Sequence, residues 1–160
     1  WDAVIKVHLK GTFAPARHAA AYWRDQAKLK GGPVDARIIT TTSVSGIYGN
    51  IGQTNYGAAK AGVDSLTTTL AVEWAPKVRV NAVVVGLVAT EQAELFYGDS
   101  DSQAVVASTI PLGRLAQPAE IGWATAFLAS DAASYISGAT LAVHGGGEPP
   151  PYLSASSANK

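Results

Sequence analysis

A chain of 160 residues, 48% of them apolar, is long enough to close one domain around a sizeable core. Its 12 basic and 12 acidic residues leave no net charge and form no block of one sign, which argues against nucleic acid or an anionic membrane surface as a partner. With no cysteine, with His8, His18 and His144 scattered, and with no apolar run near the ~20 residues of a membrane span, neither a metal site nor a membrane-spanning segment is expected.

Trp1, Val4, Ile5, His8, Leu9, Thr12, Phe13 and Ala16 recur at helical spacing, predicting a helix from Trp1 to about Leu29 that Gly31-Gly32-Pro33 breaks. The chain opens on Trp1 and holds no methionine, so the true N-terminus is expected upstream, together with any targeting signal. The C-terminal Ala158-Asn159-Lys160 is not a retention or peroxisomal address, and a cytoplasmic location is the expectation. Arg37 to Thr42 is a β-branched run that suits a buried parallel strand whose C-terminal end runs into Ser43. Gly46, Gly49 and Gly52 then punctuate a loop. A second helix is expected from about Asn55 to Trp74, with Ala59, Val63, Leu66 and Leu70 as its apolar stripe and Pro76 beyond its end.

Val78 to Val85 reads as a second buried strand closed by Gly86, and Thr90 to Ile110 as an irregular, lid-like stretch with one or two short helices. Pro118 opens a third helix, with Glu120 in its first turn and Ile121, Ala124, Thr125 and Leu128 on one face. Thr140 to Val143 is the last strand. Residues 1–147 form one domain, and the Pro149-Pro150-Pro151 run and Ser/Ala-rich end make residues 148–160 an extended tail. Alternating helices and strands imply an α/β fold with a parallel sheet, Rossmann-like and doubly wound. Three strands are about half of the six or more such a sheet usually has, and no G-x-G-x-x-G lies between a strand and a helix. The N-terminal half, with its glycine-rich cofactor loop, is expected to be missing from this chain.

Tyr56 and Lys60 are four residues apart on a predicted helix, so they project from one face about a turn apart. A phenol ordinarily ionises near ~10, but a cation at ~4 Å under an effective dielectric near 20 is worth ~4 kcal/mol, or about three pKa units. That is the size needed for a tyrosine to serve as an acid/base at neutral pH. Ser43, which follows the strand and is expected in the loop region facing that helix, is positioned to donate to a substrate oxygen as charge develops there. Alone, Tyr-x-x-x-Lys is also a common surface pair with no chemistry.

The surrounding text changes that reading. Ser43-Val44-Ser45-Gly46, then Gly52-Gln53-Thr54-Asn55-Tyr56-Gly57-Ala58-Ala59-Lys60-Ala61-Gly62, resembles the active-site segment of the short-chain dehydrogenase/reductase family, with the serine 13 positions before the tyrosine. Arg79-Val80-Asn81-Ala82, Gly86 to Thr90, Pro111-Leu112-Gly113-Arg114, Phe127-Leu128-Ala129-Ser130-Asp131, Ser137-Gly138-Ala139-Thr140 and Gly145-Gly146 continue the resemblance in order. It implies a Tyr56 acid/base, a Lys60 that eases the phenol's ionisation and holds the nicotinamide ribose, and a Ser43 that orients the substrate oxygen. It further implies NAD or NADP as cofactor, with Gly86, Val88 and Thr90 beside the nicotinamide carboxamide and neighbouring phosphate.

Two residues depart from the family pattern. Val85 stands where a proline is usual. His8, in Val7-His8-Leu9-Lys10-Gly11, stands where most members have an asparagine whose main-chain carbonyl, freed by a helical distortion, holds a water linked to the lysine. A histidine offers the same carbonyl, or its ring simply packs on the apolar face. Val-His-Leu-x-Gly and Ser45-Gly46-Ile47-Tyr48-Gly49-Asn50 resemble the dehydrogenase part of multifunctional type 2 β-oxidation enzymes, which oxidise 3-hydroxyacyl-CoA thioesters. A 3-oxoacyl-carrier-protein reductase and a hydroxysteroid dehydrogenase are the competing subfamily readings, and a non-catalytic fragment or interaction module is the competing class. The substrate is thus expected to be a small molecule or thioester. In this family the two long helices pack across a subunit boundary, so a homodimer or homotetramer is expected.

Overall fold

The computed structural model describes residues 1–32 and 34–147; the tail predicted at 148–160 lies outside the described residues. The long first helix forms as α1 (Asp2–Ile5), a π-helical turn (Lys6–Lys10) and α2 (Gly11–Lys30), with right-handed helical backbone at both junctions. In the π turn the Gly11 N–H reaches back five residues to the Lys6 carbonyl. Gly31 ends α2 in a left-handed conformation, φ 64°, its N–H on the Ala27 carbonyl, a geometry that favours glycine. Trp1 and Phe13, expected on the apolar face, are exposed, and of α2 only Ala16 is fully buried.

Three strands follow: β1 (Ala36–Ser43), β2 (Val78–Val85) and β3 (Thr140–Val143), paired in parallel in the order β1-β2-β3. Residues 54–74 form α3 (Thr54–Trp74), and α3 packs on β1 and β2. The polar stretch that reads as irregular holds two short helices, α4 (Ala93–Tyr97) and α5 (Ser100–Ser108); α6 (Pro118–Ala129) packs on all three strands. Covered on both faces, β2 needs no alternation of polar and apolar residues, and Val80, Ala82, Val83 and Val84 are all buried. The α3 stripe forms largely as expected, with Ala59, Val63 and Leu70 buried and Leu66 packed against the core beside Ala36, Val78 and Val80. Each such leucine contributes ~1.5–3 kcal/mol on full burial.

The Arg79-Val80-Asn81-Ala82 segment has a structural use. The Arg79 guanidinium donates to the carbonyls of Leu128, Ser130 and Ile136, and the Asn81 amide donates to the Ile136 carbonyl while accepting the Ala139 N–H. These bonds satisfy the end of α6 and the turn into β3, fixing where β3 begins.

Candidate active site

Parallel strands end on a common edge. Ser43, Val85 and Val143 stand in one register line at the C-terminal ends of β1, β2 and β3, the edge at which open α/β sheets receive ligands. Ser43 is the last residue of β1 rather than a loop residue, with extended backbone, and its Oγ accepts the Ser45 N–H at 3.2 Å. A 3-10 turn (Val44–Gly46) follows and lies hard against α3. A Cβ on Gly46 would stand 2.9 Å from the Ala61 nitrogen, and one on Gly57 would stand 2.9 Å from the Ser45 carbonyl oxygen. Glycine at both positions is what lets the strand end and the first turns of α3 meet. The Ser45 hydroxyl, donating to Gln53 Oε1 at 3.1 Å, ties the same turn to the entry of α3.

Tyr56 and Lys60 project from α3 as their spacing predicts, with the Lys60 Nζ 5.6 Å from the centroid of the Tyr56 ring, within cation–π range. Lys60 is buried and donates to the Thr41 carbonyl at 2.9 Å, its one hydrogen bond among the described residues, out of three N–H donors. Burial pulls its pKa below the ordinary amine value, and the Asp64 carboxylate one turn further on pushes it back up. From the other side, the π turn packs on α3: Leu9 fills the space a side chain at Gly62 would need, and His8 stands edge-on to Tyr56 with centroids 4.9 Å apart. The helical distortion expected at His8 is present. Its carbonyl accepts the Thr12 hydroxyl at 2.7 Å. Burial, and then the Lys60 charge, hold the His8 ring below its usual pKa.

The remaining residues singled out from the sequence lie along the same edge. Gly86 follows β2 where a Cβ would stand 2.7 Å from the His144 Cα, so its small size is required by the close approach of the chain after β3. Val88 forms an isolated parallel bridge with Ala116, and the Thr90 N–H turns back to the Val88 carbonyl at 3.0 Å. Val85 in place of the usual proline completes the β2 ladder opposite Ser43 and Val143.

Three residues at the site were missed from sequence. Tyr97, in α4, is half-buried; burial pushes its phenol upward, a hydrogen bond from the Val88 backbone opposes this, and nearby Tyr56 adds to the rise. Thr42 donates through its hydroxyl toward both the Lys60 carbonyl and Asp64 Oδ2, each at 3.1 Å. Asp64 carries a signal that was readable: Tyr56, Lys60 and Asp64 continue one row at four-residue spacing.

The profile described as "Enoyl-(Acyl carrier protein) reductase" matches residues 1–148. The chain is 42% identical over 147 residues to the 3-oxoacyl-(acyl-carrier-protein) reductase of Thermotoga maritima, covering 91% of this chain and 56% of that protein. To the (3R)-3-hydroxyacyl-CoA dehydrogenase of Mus musculus it is 41% identical over 147 residues, covering 91% of this chain and 54% of that protein. The solved aldohexose dehydrogenase of Thermoplasma acidophilum superposes with a TM-score of 0.80 at 31% identity, over 91% of this chain and 58% of that one. The chain spans about half the length of the curated relatives it matches, 56% of the first. On profile, relatives and fold alike, it belongs to the short-chain dehydrogenase/reductase family.

Proposed function

We propose that this chain carries the proton-transfer half of an NAD(P)-dependent oxidoreductase that interconverts a secondary alcohol and a ketone, with 3-hydroxyacyl and 3-oxoacyl thioesters as substrates. The observation that carries the reading is the convergence of the Ser43 strand end, Tyr56, buried Lys60 and His8 on one sheet edge. In the direction of oxidation Tyr56 takes the proton of the substrate hydroxyl; in reduction it returns a proton to the ketone oxygen. Lys60 stabilises negative charge on the phenol oxygen, and the Ser43 hydroxyl donates to the substrate oxygen, holding the carbon it bears in line for transfer. The bound nicotinamide supplies or accepts the hydride.

The residues present fit the nicotinamide end of such a cofactor. Lys60 has N–H donors beyond its bond to Thr41 for a ribose hydroxyl, and Gly86, Val88 and Thr90 follow the C-terminal end of β2. No glycines between a strand and a helix have the G-x-G-x-x-G spacing that receives a diphosphate, so this chain accounts for the nicotinamide end alone. The relatives' names, one a 3-oxoacyl-(acyl-carrier-protein) reductase and one a (3R)-3-hydroxyacyl-CoA dehydrogenase, support a thioester substrate and leave the carrier to be measured. Exposed Val72 on α3, with Trp1, Val7 and Phe13 on the first helix, supports a homodimer or homotetramer formed through these two helices.

The test is an assay of the protein as encoded, including any sequence upstream of Trp1, with 3-oxoacyl and 3-hydroxyacyl thioesters of coenzyme A and of acyl carrier protein and with each nicotinamide dinucleotide. Cofactor-dependent turnover of at least one thioester is expected. Turnover of none of them would overturn the substrate reading.

A further inference from the structure

Asp64 takes no part in the chemistry proposed above, yet its placement is costly. It lies one turn beyond Lys60 and two beyond Tyr56 on the face of α3 that meets β1. Its Oδ2 accepts the Thr42 hydroxyl at 3.1 Å, while its Oδ1 is buried with no hydrogen-bond partner among the described residues. An orphaned buried carboxylate oxygen is destabilising, and an asparagine would accept from Thr42 equally well, so holding the fold does not explain the charge. What the neighbourhood does need is negative charge: the Lys60 ammonium is buried with one carbonyl as its hydrogen-bond partner. The titratable groups that face Lys60 are Tyr56 and Asp64 from α3 and His8 from the π turn; β1 contributes the Thr41 carbonyl. Of these, Asp64 is the one carboxyl group: burial pushes its pKa upward, while the Thr42 hydrogen bond and the Lys60 charge pull it back toward the ionised form.

Resting on the roles proposed for Tyr56 and Lys60, we propose that Asp64 is a positioning residue for the reaction: anchored by Thr42, its carboxylate is the counter-charge that keeps the buried Lys60 ammonium charged beside Tyr56. No hydrogen bond joins Lys60 and Asp64 among the described residues, so the effect acts through space across one helical turn. Thr42 binds the Lys60 carbonyl and the Asp64 carboxylate with one hydroxyl, which fixes the two residues relative to each other.

The decisive measurement is the titration of Lys60 by NMR in the protein as encoded, labelled with 13C at the lysine Cε, alongside the pH profile of kcat/KM. Asp64→Asn keeps the shape and the acceptor and removes the charge. The Lys60 midpoint is expected to fall by about one unit, and the alkaline limb of kcat/KM to fall with it, while activity below neutral pH stays near that of the parent. Asp64→Glu is expected to restore both, and Asp64→Ser replaces the asparagine variant if circular dichroism shows that variant unfolded. Titration and pH profiles that superimpose on the parent's would overturn the role of Asp64 while leaving Tyr56 and Lys60 in place. Normal turnover and cofactor affinity in Lys60→Met would instead remove the site reading on which this one rests.

Discussion

The His8 imidazole stands edge-on to the Tyr56 ring, centroids 4.9 Å apart and planes at 87°. Both burial and the nearby Lys60 cation disfavour a second positive charge there, in that order of size. His8 is therefore expected to be neutral at pH 7 and to titrate below the usual histidine value of ~6.5. Replacing Lys60 with methionine removes one of the two causes, so the midpoint should rise toward that value. Proton NMR of the His8 ring in both proteins checks the direction, and an unchanged midpoint in Lys60→Met would show that the two groups do not sense each other.

Tyr56→Phe removes a hydroxyl and leaves the ring that packs against His8. The fold and cofactor affinity of the protein as encoded should persist while turnover falls at least ~100-fold, the usual scale for losing a general acid/base. Lys60→Ala should both slow turnover and weaken cofactor binding. Steady-state kinetics with a separate cofactor titration distinguishes the two variants.

Gly46→Ala and Gly57→Ala each place a Cβ 2.9 Å from main-chain atoms of the facing segment. Neither obstacle is a flexible side chain, so the Val44–Gly46 turn must move off α3, carrying Ser43 away from Tyr56. A loss of ~1–3 kcal/mol in chemical denaturation is expected, and turnover should fall more than stability alone explains. Wild-type turnover in a folded Gly46→Ala protein would show that the close approach is not needed for the chemistry.

Much of this site was legible because it is local. The four-residue step from Tyr56 to Lys60 and the β-branched run into Ser43 are written in consecutive residues, and helix and strand periodicities convert them directly into faces and ends. Asp64 was just as legible by spacing and was passed over, since sequence does not say that Thr42 of a different element will bury it. Tyr97 lay in a polar stretch without periodicity, and only the fold brings α4 back over the exit of β2. The exposure of Trp1 and Phe13 was not readable either, because helical spacing marks an apolar stripe without saying what covers it.

The start of α6 makes a pH-dependent prediction. Glu120 accepts two bonds from the Arg114 guanidinium at 2.7 Å each and one from the Gln117 N–H at 2.7 Å, and these hold its carboxyl at about 2. A carboxyl held below its unfolded value stabilises the fold above that value, and the contribution is lost as pH falls toward the folded one. The thermal midpoint of Glu120→Gln should therefore lie below the parent's at pH 7, with the gap closing between pH ~5 and ~2. Melting curves across that range check it; a gap independent of pH would assign the difference to the lost helix cap geometry rather than to the charge.

The outer edge of β1 bears on how residues 1–160 behave as a separate polypeptide. Among the described residues β1 pairs with β2 alone, and beside its free edge an open cavity of about 490 Å³ is lined by Thr12, Pro15, Ala16, Ala19, Ile38 and Ile39. Unpaired strand N–H and C=O groups next to apolar side chains recruit other chains, so this polypeptide should self-associate at micromolar concentration. Nor should it hold a nicotinamide dinucleotide tightly: the ribose contact available from Lys60 does not substitute for a glycine-rich turn at a helix N-terminus that receives the diphosphate. Sedimentation and calorimetry on residues 1–160 test both statements. A monomer with micromolar affinity for either dinucleotide would mean that the diphosphate finds its donors within these residues, and the division of the cofactor site proposed above would have to be redrawn.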